Sequence, residues 1–378
     1  MKVVLTGGGS GGHFYPIIAV AQSLNDIATK ERLAKLEMFY VSTEPYNEGL
    51  LFDNNITFKR VPAGKLRRYF SPLNFLDFFK TLWGIFVAIG VIFKIYPDVI
   101  FSKGGFASFP TLMAARVLRI PVIIHESDTI PGRVNRWAGK FAARIATGFP
   151  ETLDSFQKYA EKVAYVGVPV QKELQHPVPD GAHEFLKLDP EIPMILVIGG
   201  SQGAEVINDN LMDALPELVE RFQIIHQTGE SKLAAVKEMS HASLLDNPKK
   251  DRYKLFPYLN TLALRMAAGA SSIVISRGGA SSVAEISSWG KPSIIIPITD
   301  SNSDHQRKNA FSYARAGACS VIEEKNLTQH IIVSEVQRLI DNKEARVKMS
   351  EAAKNFSKPD AGDKIAQEIV RIGLSHEN

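Results

Sequence analysis

Lys2-Val3-Val4-Leu5-Thr6-Gly7-Gly8-Gly9-Ser10-Gly11-Gly12-His13 opens the chain with a short apolar strand that runs straight into a glycine-rich loop. About half the chain later the pattern returns, as Met194–Ile198 followed by Gly199-Gly200-Ser201-Gln202-Gly203-Ala204. A loop of this kind at the mouth of a helix lets backbone N–H groups approach an anion closely, and the helix N-terminus adds partial positive charge there. Two copies predict an α/β protein of two Rossmann-like domains whose parallel sheets face a cleft.

Outward from both loops, β-branched runs alternate with longer helical patterns, the signature of βαβ units. Strands are expected at 3–6, 38–41, 57–61, 99–102, 122–125, 144–147 and 162–166. Helices are expected to begin near Pro16, Tyr46, Pro72, Ala107, Pro131 and Pro150, since proline costs no hydrogen bond in a first turn. Between Gly167 and Pro193 the pattern lapses into Pro169, Pro177, Pro179, Asp180, Gly181 and Pro190, which reads as the interdomain connection. A second series follows at 194–198, 222–226, 253–256, 272–275, 293–297 and 319–322, then helical sequence beyond Asn326. The expected domains are 1–167 and 168–356, with a helix at about 357–378 packing back on the first.

At 378 residues the chain exceeds the range of a single growing core. Hydrophobic content of 45% with 22% charged residues excludes long disordered stretches. The single cysteine, Cys319, excludes an internal disulfide framework, and no Cys/His spacing suits zinc, so a reducing cytoplasm fits. A formal charge of +4 without a basic stripe gives no reason to expect nucleic acid as a partner. The N-terminus lacks the long apolar core of a signal peptide and is read as the start of the first strand.

The uncharged run 82–93 ends at Lys94, shorter than the ~18 residues a bilayer span needs, and is read as a helix buried beside the sheet. Just upstream, Lys65, Arg67, Arg68 and Lys80 interleave with Leu73, Phe75, Leu76, Phe78 and Phe79, a mixture that suits a membrane surface.

Gly7-x-Gly9-x-x-Gly12 formally matches the dinucleotide fingerprint. That reading needs an acidic residue at the end of the second strand, for which Glu44 is the candidate. His13, directly after the last glycine, is better suited to a general base or phosphate ligand, with a plain hydrogen-bonding role as the bland alternative. Ser282-Val283-Ala284-Glu285 has two readings. Either free N–H groups meet a nucleotide phosphate while Glu285 accepts ribose hydroxyls, or Ser282 and Glu285 form a capping box. The neighbouring Arg277-Gly278-Gly279 and Gly290-Lys291-Pro292 favour the first. Ser201, in the second glycine loop, is read as a diphosphate contact or a turn former.

Six ordered motifs resemble those of the MurG family, which adds N-acetylglucosamine to lipid I in peptidoglycan synthesis. They are Gly8-Gly9-Ser10-Gly11-Gly12-His13-Phe14-Tyr15-Pro16, Lys103-Gly104-Gly105-Phe106-Ala107-Ser108 and His125-Glu126-Ser127-Asp128-Thr129-Ile130-Pro131-Gly132-Arg133-Val134-Asn135. The others are Gly199–Ala204, Ser276-Arg277-Gly278-Gly279-Ala280-Ser281-Ser282-Val283-Ala284-Glu285 and Asp304-His305-Gln306 with Asn309-Ala310.

The resemblance implies a GT-B type fold and an inverting, metal-independent transferase of cell-wall biogenesis without a cofactor. Its implied partners are UDP-N-acetylglucosamine, a lipid-linked muramoyl-peptide acceptor and an anionic membrane surface, met peripherally at the cytoplasmic face. Catalytic candidates are His13, His125 and Asp128, and no Asp-x-Asp pair stands in a metal-binding context. Implied donor contacts are Ser10, Gly11, Gly12, Asp128, Gln171, Ser201, Leu259, Ala280, Ser281, Ser282, Val283, Ala284, Glu285 and Gln306, the last with the sugar. Implied membrane contacts are Leu73, Phe75, Leu76 and Phe79.

Two positions depart from the family. Asp128 stands where many members have asparagine, and Gln171 where arginine is usual, with Lys172 as the adjacent cation that could substitute. A UDP-sugar 2-epimerase and a non-catalytic sugar-nucleotide sensor are the alternative readings, the latter kept open by Gln171.

Overall fold

The computed structural model describes residues 1–32, 35–65, 73–199, 204–299 and 304–375. The chain divides into two compact units, one of residues 1–172 with 358–378 and one of 173–357.

Unit 1 holds a seven-stranded, wholly parallel sheet. Its strands are β1 Lys2–Thr6, β2 Glu37–Ser42, β3 Ile56–Arg60, β4 Val99–Ser102, β5 Val122–Glu126, β6 Arg144–Thr147 and β7 Val163–Tyr165. The order β3-β2-β1-β4-β5-β6-β7 reverses direction between β1 and β4, a switch point that opens a crevice at the carboxyl ends of those strands. Its helices are α1 Gly11–Lys30, α2 Glu48–Asp53, α3 Leu73–Ile95, α4 Phe109–Leu118, α5 Arg133–Ala138 and α6 Thr152–Ser155.

Unit 2 has a six-stranded sheet, also all parallel. It contains β8 Met194–Ile198, β9 Gln223–Gln227, β10 Tyr253–Phe256, β11 Ser271–Ser276, β12 Ser293–Ile295 and β13 Ser320–Val321. The order β10-β9-β8-β11-β12-β13 repeats the pattern of unit 1, with its switch point between β8 and β11. Helices α7 Ala182–Phe185, α8 Glu205–Arg221, α9 Leu233–Ser243, α10 Thr261–Ala270 and α11 Ala280–Trp289 cover it, followed by α12 His305–Arg315, α13 Gln329–Asp341 and α14 Lys343–Phe356. The last helix, α15 Ala361–Gly373, belongs to unit 1, where Ile365, Ala366 and Ile369 join the core cluster of Ile17, Val20 and Leu24 from α1.

Two local expectations fail. α1 begins at Gly11, with Pro16 inside it rather than in its first turn, because Ser10 already adopts the extended N-cap conformation. The apolar run 82–93 is part of a longer helix, and only one stripe of it is buried. Gly84, Ala88, Ile92 and Ile95 face inward, and Gly84 lies so close to the preceding loop that a Cβ would stand 1.9 Å from the Pro62 carbonyl oxygen. On the opposite side Phe79, Leu82, Trp83, Phe86 and Phe93 are exposed, Trp83 by 64%. Phe75–Ile95 is long and apolar enough to cross a membrane by length and composition, so shortness no longer argues against a span. The argument is instead that Ala88, Ile92 and Ile95 are part of the domain core.

Candidate functional site

Both switch points are flanked by loops bearing the quoted motifs, and each gathers a polar cluster within its own unit. In unit 1 the loop after β1 ends at Ser10, the N-cap of α1, with Gly11, Gly12 and His13 as the first helical residues. Both the His13 and Phe14 N–H groups donate to the Ser10 carbonyl, while the Gly11 and Gly12 amides have no partner within the helix, as expected of a helix amino end. Ser10 makes no side-chain cap; its Oγ lies 2.9 Å from Nδ1 of the half-buried His13. The other face of the ring meets the loop after β4. Gly105, at φ +82°, lies close enough that a Cβ there would be 3.3 Å from His13 Nε2.

His125, the second base candidate, is elsewhere in chemical character. It is fully buried at the end of β5, with Nε2 2.8 Å from the Gly167 carbonyl oxygen and Nδ1 2.6 Å from Lys103 Nζ. The carbonyl can only accept and the ammonium only donates, so the ring is neutral with its proton on Nε2. Burial and the Lys103 charge push its pKa well below the usual histidine value. Neither nitrogen remains to take a proton from a substrate, which corrects the expectation that His125 is a candidate base.

Lys103 is itself buried, bonded also to Ser127 Oγ, and desolvation lowers its pKa to about 8 against the opposing pull of Glu126 and Asp128. Glu126 accepts from the Asp128 and Gly132 amides and from Asn135 Nδ2, and burial raises its pKa. Sequence reasoning placed no weight on Lys103 or Glu126. A lysine and a glutamate at strand ends read as solvated until the fold shows them covered. Asp128 is half-buried beyond β5, its carbonyl accepting from Thr152 Oγ.

In unit 2 the loop after β11 leads through Gly278 and Gly279 into α11. Gly279 is the N-cap and makes no side-chain bond, so Ser282 and Glu285 sit one and two turns inside the helix and form no capping box. Val283 N–H is the first to bond back, to the Gly279 carbonyl; Ala280, Ser281 and Ser282 carry the orphan amides. Ser281 Oγ is buried without a hydrogen-bond partner among the described residues. Ala280 and Val283 are buried, which leaves their side chains in the core. Glu285 follows Ala284 and is partly buried; burial raises its carboxyl pKa to about 7.

Gln306 is the second residue of α12, and its Oε1 accepts from the Ile298 amide at 3.4 Å. Leu259 is buried, and its N–H is already donated to Gln227 Oε1. Ser201 lies outside the described residues.

Gln171 is half-buried in the connection. The adjacent cation, Lys172, is engaged within unit 1: its ammonium lies 2.5 Å from Asp26 and 3.0 Å from Asp363, and although desolvation opposes its charge, those carboxylates raise its pKa. Phe75, Leu76 and Phe79 are exposed on α3, whereas the Leu73 side chain lies outside the described residues. Trp83, Phe86 and Phe93 extend that exposed face and were missed because the run containing them reads equally well as core.

The chain matches the glycosyltransferase family 28 N-terminal domain over residues 3–147 and the glycosyltransferase family 28 C-terminal domain over residues 194–365. It is 35% identical over 377 residues to a protein of Lachnoclostridium phytofermentans, covering 99% of each chain. A protein of Natranaerobius thermophilus is 33% identical over 373 residues, 97% of this chain and 98% of that one. Both relatives are named UDP-N-acetylglucosamine--N-acetylmuramyl-(pentapeptide) pyrophosphoryl-undecaprenol N-acetylglucosamine transferase. Among solved structures, Acinetobacter baumannii MurG aligns with a TM-score of 0.72 at 24% identity, over 98% of this chain and 99% of that one. An S. aureus MnaA-UDP co-structure aligns with a TM-score of 0.71 at 19% identity, over 98% and 96%. At these identities the structural likeness speaks for the fold.

Proposed function

The chain belongs to the MurG branch of glycosyltransferase family 28, and on that premise we propose how it transfers N-acetylglucosamine from UDP-N-acetylglucosamine to lipid I, the muramyl-pentapeptide pyrophosphoryl-undecaprenol, to give lipid II. The observation that carries the activity is likeness to transferases along 99% of the chain, through both domains. Structural neighbours include 2-epimerases, but these share only the fold.

The donor's diphosphate meets the orphan amides of Ala280, Ser281 and Ser282, and the Ser281 hydroxyl, without a partner among the described residues, supports that reading. Glu285, one turn further on, accepts the ribose hydroxyls, and the Gln306 amide bridges sugar hydroxyls. Ser10, Gly11 and Gly12 present the amino end of α1 to the transferring sugar. As the acceptor's 4-hydroxyl oxygen forms its bond to the anomeric carbon, the bond from that carbon to UDP breaks with inversion. The acceptor proton passes to His13 Nε2. Amides at a helix end, already oriented, meet the charge growing on the departing UDP. The lipid-linked acceptor is reached by the exposed aromatic face of α3 at an anionic membrane surface, peripherally and from the cytoplasmic side.

Incubation with UDP-N-acetylglucosamine and a lipid I analogue tests the reading. UDP release that depends on acceptor and yields the disaccharide lipid supports it. Acceptor-independent formation of the 2-epimer would replace it with the epimerase reading, and donor binding without release would favour a sensor. Cosedimentation with anionic vesicles, weakened by Trp83→Gln with Phe86→Gln, tests the membrane face; undiminished binding by that variant would overturn it.

A further inference from the structure

A buried ion pair lies beside the donor elements of unit 2 and takes no part in the transfer described above. Arg277 is the first residue after β11 and immediately precedes the glycines that open α11. Its Nη1 lies 2.5 Å from Glu324 Oε1 and also donates to the Ile296 carbonyl at 3.2 Å. The second carboxylate oxygen of Glu324 accepts the Thr299 N–H at 2.9 Å. One carboxylate therefore holds both the exit of β11 and the chain that leaves β12 towards Gln306. Burial opposes its charge, but the Thr299 amide and Arg277 keep its pKa below the usual carboxylate value.

The other flank of the same junction is equally close. A Cβ on Gly278 would stand 2.4 Å from the Gln306 carbonyl oxygen, and the Gly278 carbonyl accepts from Asn309 Nδ2 at 3.1 Å. Thus Arg277 and Gly278, adjacent in sequence, tie the start of α11 to the segment 296–299, whose Ile298 amide meets Gln306 Oε1, and to α12, which carries Gln306. The pair is 10% and 14% exposed at its side chains, and the Arg277 Nε is buried without a partner among the described residues. Desolvating two charges and leaving a donor unused returns little net stability, so the arrangement is better explained by position than by strength.

We propose that Arg277 and Glu324 are a positioning pair that sets the spacing between the nucleotide end of the donor site, at α11, and its sugar end, at Gln306. The inference rests on the donor-site reading above. Its consequence is selective: the pair governs affinity for the sugar-bearing donor far more than affinity for UDP.

Calorimetric titration of the full chain with UDP and with UDP-N-acetylglucosamine tests this, using Glu324→Gln and Arg277→Lys. Glutamine keeps an acceptor for Thr299 and nearly the same volume, so folding is retained, and lysine provides a second variant should it not be. The expected result is a Kd for UDP within about twofold of the parent and a Kd for UDP-N-acetylglucosamine raised about five- to tenfold, the scale of one weakened charge-assisted hydrogen bond. An unchanged ratio of the two constants in both variants, or equal weakening of both ligands alongside a fall in Tm, would overturn the proposal. Gln306→Ala in the same titration separates the failures. If it too leaves the ratio unchanged, the donor-site reading falls and takes this inference with it. If it alone changes the ratio, only the positioning pair falls.

Discussion

Ser10 Oγ and His13 Nδ1 lie 2.9 Å apart, across the first turn of α1. On the proposed role of His13 as base, the contact sets the tautomer that the imidazole must adopt. Only when Nδ1 carries the proton and donates to the serine does Nε2 keep the lone pair a base needs. His13→Ala is expected to cut kcat by about 10²- to 10⁴-fold with little change in the Kd of UDP-N-acetylglucosamine. Ser10→Ala should cost less, about three- to tenfold, because it loosens the tautomer without removing the base. Stopped assays with purified variants check both; near-normal turnover by His13→Ala would remove it as the base.

On the proposed donor site, the raised pKa of Glu285 sets stability and donor binding against each other. Its folded pKa of about 7 lies above the ordinary 4.5, so the folded state holds the proton more tightly than the unfolded chain. The resulting stability is present below pH 4.5 and lost as pH rises through 7. At pH 8, Glu285→Gln should therefore stabilise by about 2 kcal/mol, a figure discounted for partial exposure. It should also weaken the donor, since an amide accepts ribose hydroxyls less well than a carboxylate. Thermal melts at pH 5 and 8 with donor titrations make the comparison; a variant less stable at pH 8 would contradict it.

The buried Lys103 predicts a pH response of the reverse kind. Its folded pKa of about 8 lies below the ordinary 10.5, so the charged form is disfavoured on folding. The penalty is complete below pH 8 and is relieved as pH rises towards 10.5. Relative to Lys103→Met, the parent should gain about 2–3 kcal/mol between pH 7.5 and 10. His125→Ala, which strips the lysine of a partner, should lower Tm by several degrees. Its kcat should still exceed that of His13→Ala at a temperature where both are folded. Equal loss of turnover in the two histidine variants would argue against the assignment.

Gln171 and Lys172 separate two ideas that the sequence leaves joined. With the Lys172 ammonium held by Asp26 and Asp363, Lys172→Ala should change the donor KM less than about twofold, because both of the lysine's ion pairs are made to carboxylates of its own unit. Gln171→Arg should lower the donor KM if the connection does meet the nucleotide sugar. A large rise in KM for Lys172→Ala would show that the lysine leaves its carboxylates to bind the donor.

The central strands were legible because fully buried parallel strands are written as apolar runs: the predicted 99–102 and 194–198 coincide with β4 and β8. The predicted 144–147 and 253–256 also coincide with β6 and β10, although these carry Arg144 and Lys254 and β10 is only partly buried. Helix starts were less legible. Pro16 satisfies every rule for a first turn, yet Ser10 captures that role six residues earlier through its backbone conformation. Ser282 and Glu285 have the spacing of a capping box, which fixes nothing until the N-cap is located at Gly279. His13 stood out through its place after the glycines. The standing of His125 depended on Lys103 and Gly167, 22 and 42 residues away in sequence, which no local pattern connects.

The exposed face of α3 has a consequence for how sequence variation in this chain is to be interpreted. Trp83, Phe86 and Phe93 are mostly exposed and contribute little packing inside the domain, so replacing them with polar residues should leave purified protein folded, more soluble and easier to concentrate. On the proposed membrane role of this face, the same changes should be lost from populations that must build a wall. A screen scoring yield and a screen scoring growth will rank these positions in opposite orders.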